Sequence, residues 1–201
     1  GCATLGFAFD FNFSMIYGVL ILGGLGVLSI LAALRYTIGH NAYGYKGLGD
    51  AYVILFFGYI GVLGVAYLLS HSFQLSWLLP ATFSGLMAAA VLNLNNLRDH
   101  ENDALSGKNT LVVRLGFKKA KSYQVGIIIT CWALLLVFLL GAGELKEWRG
   151  GIWYVLIAFI HLKHIVFVMQ NNDPKLLDPE LKKISLSSFV VALFMILSVT
   201  V

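Results

Sequence analysis

Trp77–Asp103 reads WLLPATFSGLMAAAVLNLNNLRDHEND. From Trp77 to Leu94 the residues are almost all apolar or small, and from Asn95 the same stretch turns polar and charged. A bilayer core takes about 20 mostly apolar residues as one helix. The stretch is therefore expected to cross a membrane and to surface near Asn95.

The rest of the chain agrees with that solvent. Of 201 residues, 59% are hydrophobic and 12% charged, and the mean hydropathy is +0.82. A water-soluble domain of this size needs a more polar surface. Further spans are expected at Met15–Leu34, Ala51–Leu69, Ser122–Leu140, Ile152–Met169 and Ile184–Val201. No segment alternates as a strand does, and no repeat or low-complexity tract is present. The expectation is one all-α, multi-pass membrane domain over residues 1–201. The chain starts with Gly1, not Met, and Gly1–Phe13 is too short to span alone, so an N-terminally truncated domain is expected. With only Cys2 and Cys131, neither a disulfide framework nor a zinc site is expected.

The loops alternate in charge. Arg35 and Lys46 fall in the first loop. Arg98, Lys108, Arg114, Lys118, Lys119 and Lys121 fall in the third, and Lys175, Lys182 and Lys183 in the fifth. The second, Ser70–Ser76, has no Lys or Arg, and in the fourth Lys146 and Arg149 are balanced by Glu144 and Glu147. The positive-inside rule puts the odd loops in the cytoplasm, in a cell membrane. The formal charge of +4 then reflects topology and anionic lipid, and polar regions this short exclude a nucleic-acid domain. Trp77, Trp148 and Trp153 read as interface anchors. Gly23, Gly24, Gly58, Gly61 and Gly64 read as small residues that let helices approach. Gly47 and Gly49 lack the strand and helix context of a dinucleotide loop.

The polar end of the quoted stretch carries the candidate chemistry. If its helix continues, Asn95, Asp99 and Asp103, spaced by four, share a face with Cβ atoms roughly 5–6 Å apart. Hard oxygen ligands at that spacing suit Mg²⁺, which takes one or two carboxylates and fills its shell with water and phosphate oxygens. Asp99 and Asp103 are the candidate metal ligands and catalytic residues. The alternative is a solvated helix end, although two Asp near a helix C-terminus oppose its dipole. Arg98, Lys108 and Arg114 could hold a metal-bound polyanion, or could be headgroup charges. Asn95 and Asn96 are candidate substrate-binding residues. In Tyr43–Asp50 (YGYKGLGD), Lys46 is a candidate catalytic cation for a phosphate, Tyr43 a candidate to hold an aromatic or isoprenoid group, and Asp50 either a helix N-cap or a site residue. His161, Lys163 and His164 lie within an apolar span, where ionisable groups are costly and usually face a cavity. Lys163 is a candidate substrate-binding residue, unless it snorkels to the surface. Asp178 and Glu180 are expected to be solvated.

Together Tyr43–Asp50, Asn95–Asp103 (NNLRDHEND) and Gly107–Gly116 (GKNTLVVRLG) resemble the UbiA superfamily of intramembrane aromatic prenyltransferases. Within it they resemble the 1,4-dihydroxy-2-naphthoate polyprenyltransferases of menaquinone biosynthesis. The likeness runs from about Leu31 onward. It implies a nine-helix bundle of which six spans are expected here, as the C-terminal two-thirds. The superfamily's first aspartate motif, of the form NDxxDxxxD, does not occur in this sequence, so half of the implied magnesium site is missing and the fragment alone is expected to be impaired. The resemblance implies Mg²⁺ as cofactor, with polyprenyl diphosphate and 1,4-dihydroxy-2-naphthoate as substrates reached from membrane lipid. The products are diphosphate, CO₂ and demethylmenaquinol. Two alternatives stand beside it. One is a transferase of the same superfamily with another aromatic acceptor. The other is a non-catalytic transporter subunit, which buried ionisable groups also fit.

Overall fold

The computed structural model of the chain describes residues 13–37, 43–142 and 148–200, with side chains for 16–36, 44–138, 140–141 and 155–193. Among the described residues there is no strand. Helices run in order α1 (Phe13–Thr37), α2 (Gly49–Val53), a π-helical stretch (Ile54–Leu63), α3 (Gly64–Ser70), α4 (Leu78–Leu105), α5 (Leu111–Leu115), α6 (Phe117–Ala142), α7 (Trp148–Gln170) and α8 (Asp178–Thr200). Each of the six expected spans coincides with a helix or, for the second, with the continuous run from α2 to α3. Ile16–Tyr36, Gly49–Ser70, Leu75–Leu105 and Phe117–Phe138 are long and apolar enough to cross a bilayer, and Val155–Gln170 is a shorter apolar helix. The chain is an all-α multi-pass membrane protein. The expectations for Gly1–Asn12, for the charges of the fourth loop and for the rings of Trp148 and Trp153 fall outside the described residues and side chains.

α4 is the axis of the bundle and packs against the π-helical stretch, α6 and α8. Its membrane half is built of small residues. Ala81, Gly85 and Ala89 recur every fourth position and are buried, as are Phe83, Met87, Leu94 and Leu97. In lipid, close packing rather than water exclusion holds helices together. Gly58 and Gly85 show this at their crossing. A Cβ on Gly58 would lie 2.6 Å from the Ala81 carbonyl oxygen, and one on Gly85 would lie 2.8 Å from that of Ile54. The expected packing role thus holds for Gly58. At Gly23 and Gly24 a Cβ would meet nothing within 4 Å among the described residues. The large apolar residues left exposed, such as Leu20, Phe57, Phe159 and Phe189, lie on outer faces. In a membrane such faces meet acyl chains.

The bundle's second half is tied by polar groups. Lys121 is buried and its Nζ donates to the carbonyls of Met169 and Asn171, at 3.1 and 2.9 Å, at the end of α7. A helix C-terminus leaves carbonyls without partners, and a buried ammonium satisfies two of them. On the sequence Lys121 reads as a topology charge; its place in the fold is that of a cap.

Candidate active site

The helix of the quoted stretch does continue: α4 runs to Leu105, beyond the apolar segment. Asn95, Asp99 and Asp103 therefore share one face, as the four-residue spacing requires. Its end is set by Gly107, whose φ is +75°. The Gly107 N–H donates to the Ala104 carbonyl at 3.2 Å and the Lys108 N–H to the Asp103 carbonyl at 2.8 Å. This is the paired closure in which a glycine takes the left-handed position. It turns the chain so that Lys108 Nζ returns to Asp103 Oδ1 at 3.1 Å. The same ammonium lies 5.7 Å from the centre of the Tyr45 ring. Its bond to Asp103, and then the charge of that carboxylate, hold Lys108 above the ordinary lysine range. A raised pKa means the pair is intact through neutral pH and lost only as pH rises past the lysine value.

Asp99 is held differently. Arg98 donates from Nε and Nη2 to both of its oxygens at 2.8 Å. Nη2 also donates to Asn95 Oδ1 at 2.8 Å, and Nη1 to Asp178 Oδ1 at 2.6 Å. Arg98 thus joins α4 to the start of α8. A cleft of about 790 Å³ opens there, with Arg98, Asp99 and Asp178 on its wall. Asp178 is exposed as expected, though paired with Arg98; the expectation that Glu180 is solvated is corrected, because Glu180 is buried.

The first loop lies against the third. Tyr43–Lys46 forms a 3-10 turn, and the Tyr45 carbonyl accepts from the Asn109 N–H at 3.0 Å. Arg114 Nη1 donates to the Lys46 carbonyl at 3.3 Å. Gly47, at φ +69°, sits so close that an added Cβ would lie 2.9 Å from Arg114 Cδ. Thr110 caps α5 by accepting from the Val113 N–H. Lys46 and Arg114 are exposed, Asn96 is buried, and the side chain of Tyr43 falls outside the described ones. The structure therefore gathers Asn95, Arg98 and Asp99 in one cluster, and Asp103, Lys108 and Tyr45 in a neighbouring one. The Lys46–Arg114 contact closes the latter's rim. Tyr36, which sequence reasoning missed, lies within electrostatic reach of Asp50, Lys108, Asp103 and Tyr45. Its position at the end of α1, just before the loop, was the available signal.

Lys163 is not brought to this face. It is exposed on α7 with Nζ 4.5 Å from the Phe159 ring centre. Its neighbours point the other way and are buried. Trp132 Nε1 donates to His161 Nδ1 at 2.8 Å, so His161 carries its proton on Nε2 and donates to Ser187 Oγ at 2.9 Å. Asn93 Nδ2 donates to Gln124 Oε1, Gln124 Nε2 to His164 Nε2, and His164 Nδ1 to Glu180 Oε2, at 2.8, 3.2 and 2.7 Å. Lys183 also bonds Glu180. These two chains of bonds give both ring nitrogens of each histidine a partner within the bundle.

Among the described residues no three His, Cys, Asp or Glu side chains converge as a metal cluster. Two carboxylates share one face of α4, and each is paired with a cation: Asp99 with Arg98 and Asp103 with Lys108.

The chain belongs to the UbiA prenyltransferase family, whose model matches residues 2–198. It is 41% identical over 191 residues to the 1,4-dihydroxy-2-naphthoate octaprenyltransferase of Haemophilus influenzae, covering 95% of this chain and 60% of that protein. It is 42% identical over 185 residues to the protein of the same name from Escherichia coli, covering 90% and 57%. With that of Mycobacterium tuberculosis it shares 36% over 146 residues, covering 63% and 49%. The chain thus spans about 60% of the length of the first two of these relatives. No solved structure matches it.

Proposed function

We propose that this chain is the larger part of a transferase that moves a polyprenyl group from polyprenyl diphosphate to 1,4-dihydroxy-2-naphthoate, releasing diphosphate and CO₂ and giving demethylmenaquinol. The observation that carries the reading is the pairing on α4. Asp99 sits with Arg98, and Asp103 with Lys108, one turn apart. A magnesium-bound diphosphate offers each carboxylate a dication and each cation a polyanion. The two pairs can then exchange partners without leaving a charge uncompensated, which matters where water is scarce. Asp99 and Asp103 fit Mg²⁺ by donor type, with the remaining positions for phosphate oxygens and water. When bound, Mg²⁺ supplies Lewis acidity to the departing diphosphate.

The chain's own residues do the rest. Lys108 and Arg98, with Lys46 and Arg114 at the rim, hold the diphosphate and oppose the charge that grows on it as the allylic C–O bond breaks. Groups already in place to stabilise a developing charge usually do more than any other single effect to speed such a step. Asn95 and Asn96 orient the donor, and Tyr43 holds an isoprenoid or aromatic group. A ring carbon of the electron-rich naphthoate takes the allylic group. The polar loops that form the site face the cytoplasm, and the prenyl tail stays among acyl chains.

The test uses membranes carrying the complete polypeptide, supplied with polyprenyl diphosphate, Mg²⁺ and 1,4-dihydroxy-2-naphthoate, with prenylated product and CO₂ followed by mass spectrometry. Product from the parent and none from Asp99→Asn, Asp103→Asn upholds the reading. Product only with 4-hydroxybenzoate keeps a prenyltransferase and rejects the naphthoate.

A further inference from the structure

Asp50 is one of two buried side chains, with Asn93, that keep an oxygen without a hydrogen-bond donor among the described residues, and the only carboxylate of the two. On the sequence it reads as a helix cap or a site residue. In the structure the cap position of α2 is Leu48, with no side-chain cap bond, and Asp50 lies inside the first turn. It is 6% exposed, and its Oδ1 meets no hydrogen-bond donor among the described residues. A buried carboxylate oxygen without a donor is costly, and a native fold that keeps one calls for an explanation.

Its surroundings supply one. A Cβ on the preceding Gly49 would lie 3.2 Å from Leu92 Cδ2 and 3.6 Å from the Tyr36 hydroxyl. Asp50 acts electrostatically on Tyr36 and on Tyr123 of α6. Tyr36 is also in the field of Asp103 and Lys108. Leu92, Asn96, Asp99 and Asp103 follow one another along one face of α4, and the helix rise puts Leu92 roughly 16 Å from Asp103 along the axis. The start of α2, with Asp50, therefore lies at the level of Leu92, farther from the end of α4 than the charged pair, and Tyr36 is within electrostatic reach of both. A lone carboxylate there repels a diphosphate, but it suits a ligand that brings a hydroxyl donor.

We propose that Asp50 is a further catalytic residue, whose Oδ1 accepts the hydrogen bond of a ring hydroxyl on the aromatic acceptor and takes its proton as the new carbon–carbon bond forms. This rests on the reading that the acceptor is a hydroxylated aromatic acid. The electrons balance without another reagent. The O–H bond breaks and its pair feeds the ring, while the ring carbon bearing the carboxylate bonds the allylic carbon. Diphosphate leaves with the allylic C–O pair. Loss of CO₂ returns the carbon–carboxylate pair to the ring, and Asp50 gives the proton back to the oxygen. Asp50 ends as it began.

The experiment compares the complete polypeptide with Asp50→Asn and Asp50→Glu in lipid nanodiscs. Three quantities are read: turnover with 1,4-dihydroxy-2-naphthoate, affinity for that acid and for its O-methyl ethers, and magnesium-dependent affinity for an unreactive prenyl thiodiphosphate. Asn keeps the size of Asp but cannot take a proton. Turnover of Asp50→Asn is expected to fall by about 10²–10⁴-fold, the range lost with a general base. Thiodiphosphate affinity should stay unchanged, Asp50→Glu should recover part of the turnover, and the parent should prefer the free acid to the ethers more than Asp50→Asn does. Unchanged turnover in Asp50→Asn overturns the proposal. So does a loss of thiodiphosphate binding in both variants in step with turnover, since that marks a structural carboxyl. If the parent binds the naphthoate yet forms no product, the transferase reading fails by itself. A preference for the free hydroxyl that disappears in Asp50→Asn would still assign Asp50 as its binding group.

Discussion

Asp99 and Asp103 are the same residue type one turn apart, yet their surroundings give them different work. Both oxygens of Asp99 are taken by Arg98, which also bonds Asn95 and Asp178. Asp103 is nearly buried and meets one ammonium, that of Lys108. Lys108→Met should weaken magnesium-dependent binding of a prenyl thiodiphosphate by about 1.5–3 kcal/mol, the worth of a bond to a charged group. Thermal stability should change little, because the turn at Gly107 is closed by backbone bonds. Isothermal titration alongside thermal unfolding separates the two effects. The contrast between two α8 carboxylates is a second test. Glu180→Ala leaves the His164 Nδ1–H buried without an acceptor and should cost about 1–3 kcal/mol. Asp178→Asn breaks a pair at a half-exposed carboxylate and should cost about 0–1 kcal/mol. Unfolding in detergent should rank them in that order.

At the scale of elements, the site depends on two close approaches that only glycine permits. Gly47 lets the first loop lie against Arg114 and Asn109. Gly47→Ala puts a Cβ in a left-handed conformation, at a cost of about 1–2 kcal/mol, and drives it into that contact. Faster amide exchange at Asn109, which bonds the Tyr45 carbonyl, is the expected sign. Gly58 faces backbone across the α4 crossing, and neither side can yield as a flexible side chain would. Gly58→Ala should cost about 1–3 kcal/mol, as overpacking does, and lower the unfolding temperature. Gly23→Ala, where a Cβ meets no atom of the described residues, is the comparison and should cost less. The π-helical stretch Ile54–Leu63 carries Gly58 into this crossing. Such wide turns are rare and are often found at functional sites.

For the whole molecule, the alternation of basic and neutral loops predicts one orientation. A single cysteine at Ser72 should react with an impermeant maleimide from outside the cell, and one at Lys175 only after the membrane is opened. The native Cys131 is buried and should stay silent; Cys2 is replaced in this experiment. The reverse pattern would place the α4 carboxylates outside and detach them from a cytoplasmic supply of substrate.

Much of this architecture is legible in the sequence because its causes are local. Length and hydropathy placed the spans, and a four-residue spacing put Asp99 and Asp103 on one face. Partners are another matter. Nothing near Glu180 in the chain announces His164, and nothing near Arg98 announces Asp178, because those bonds join residues brought together by helix packing. Polar loop composition made Glu180 look as solvated as Asp178, although Glu180 is buried. Only the packed bundle decided otherwise, since burial depends on what lies across a helix rather than along it. Asp50 shows the same division. Its position before an apolar run suggests a cap, whereas its enclosure and its unmatched oxygen arise from α1, α4 and α6 closing around the start of α2.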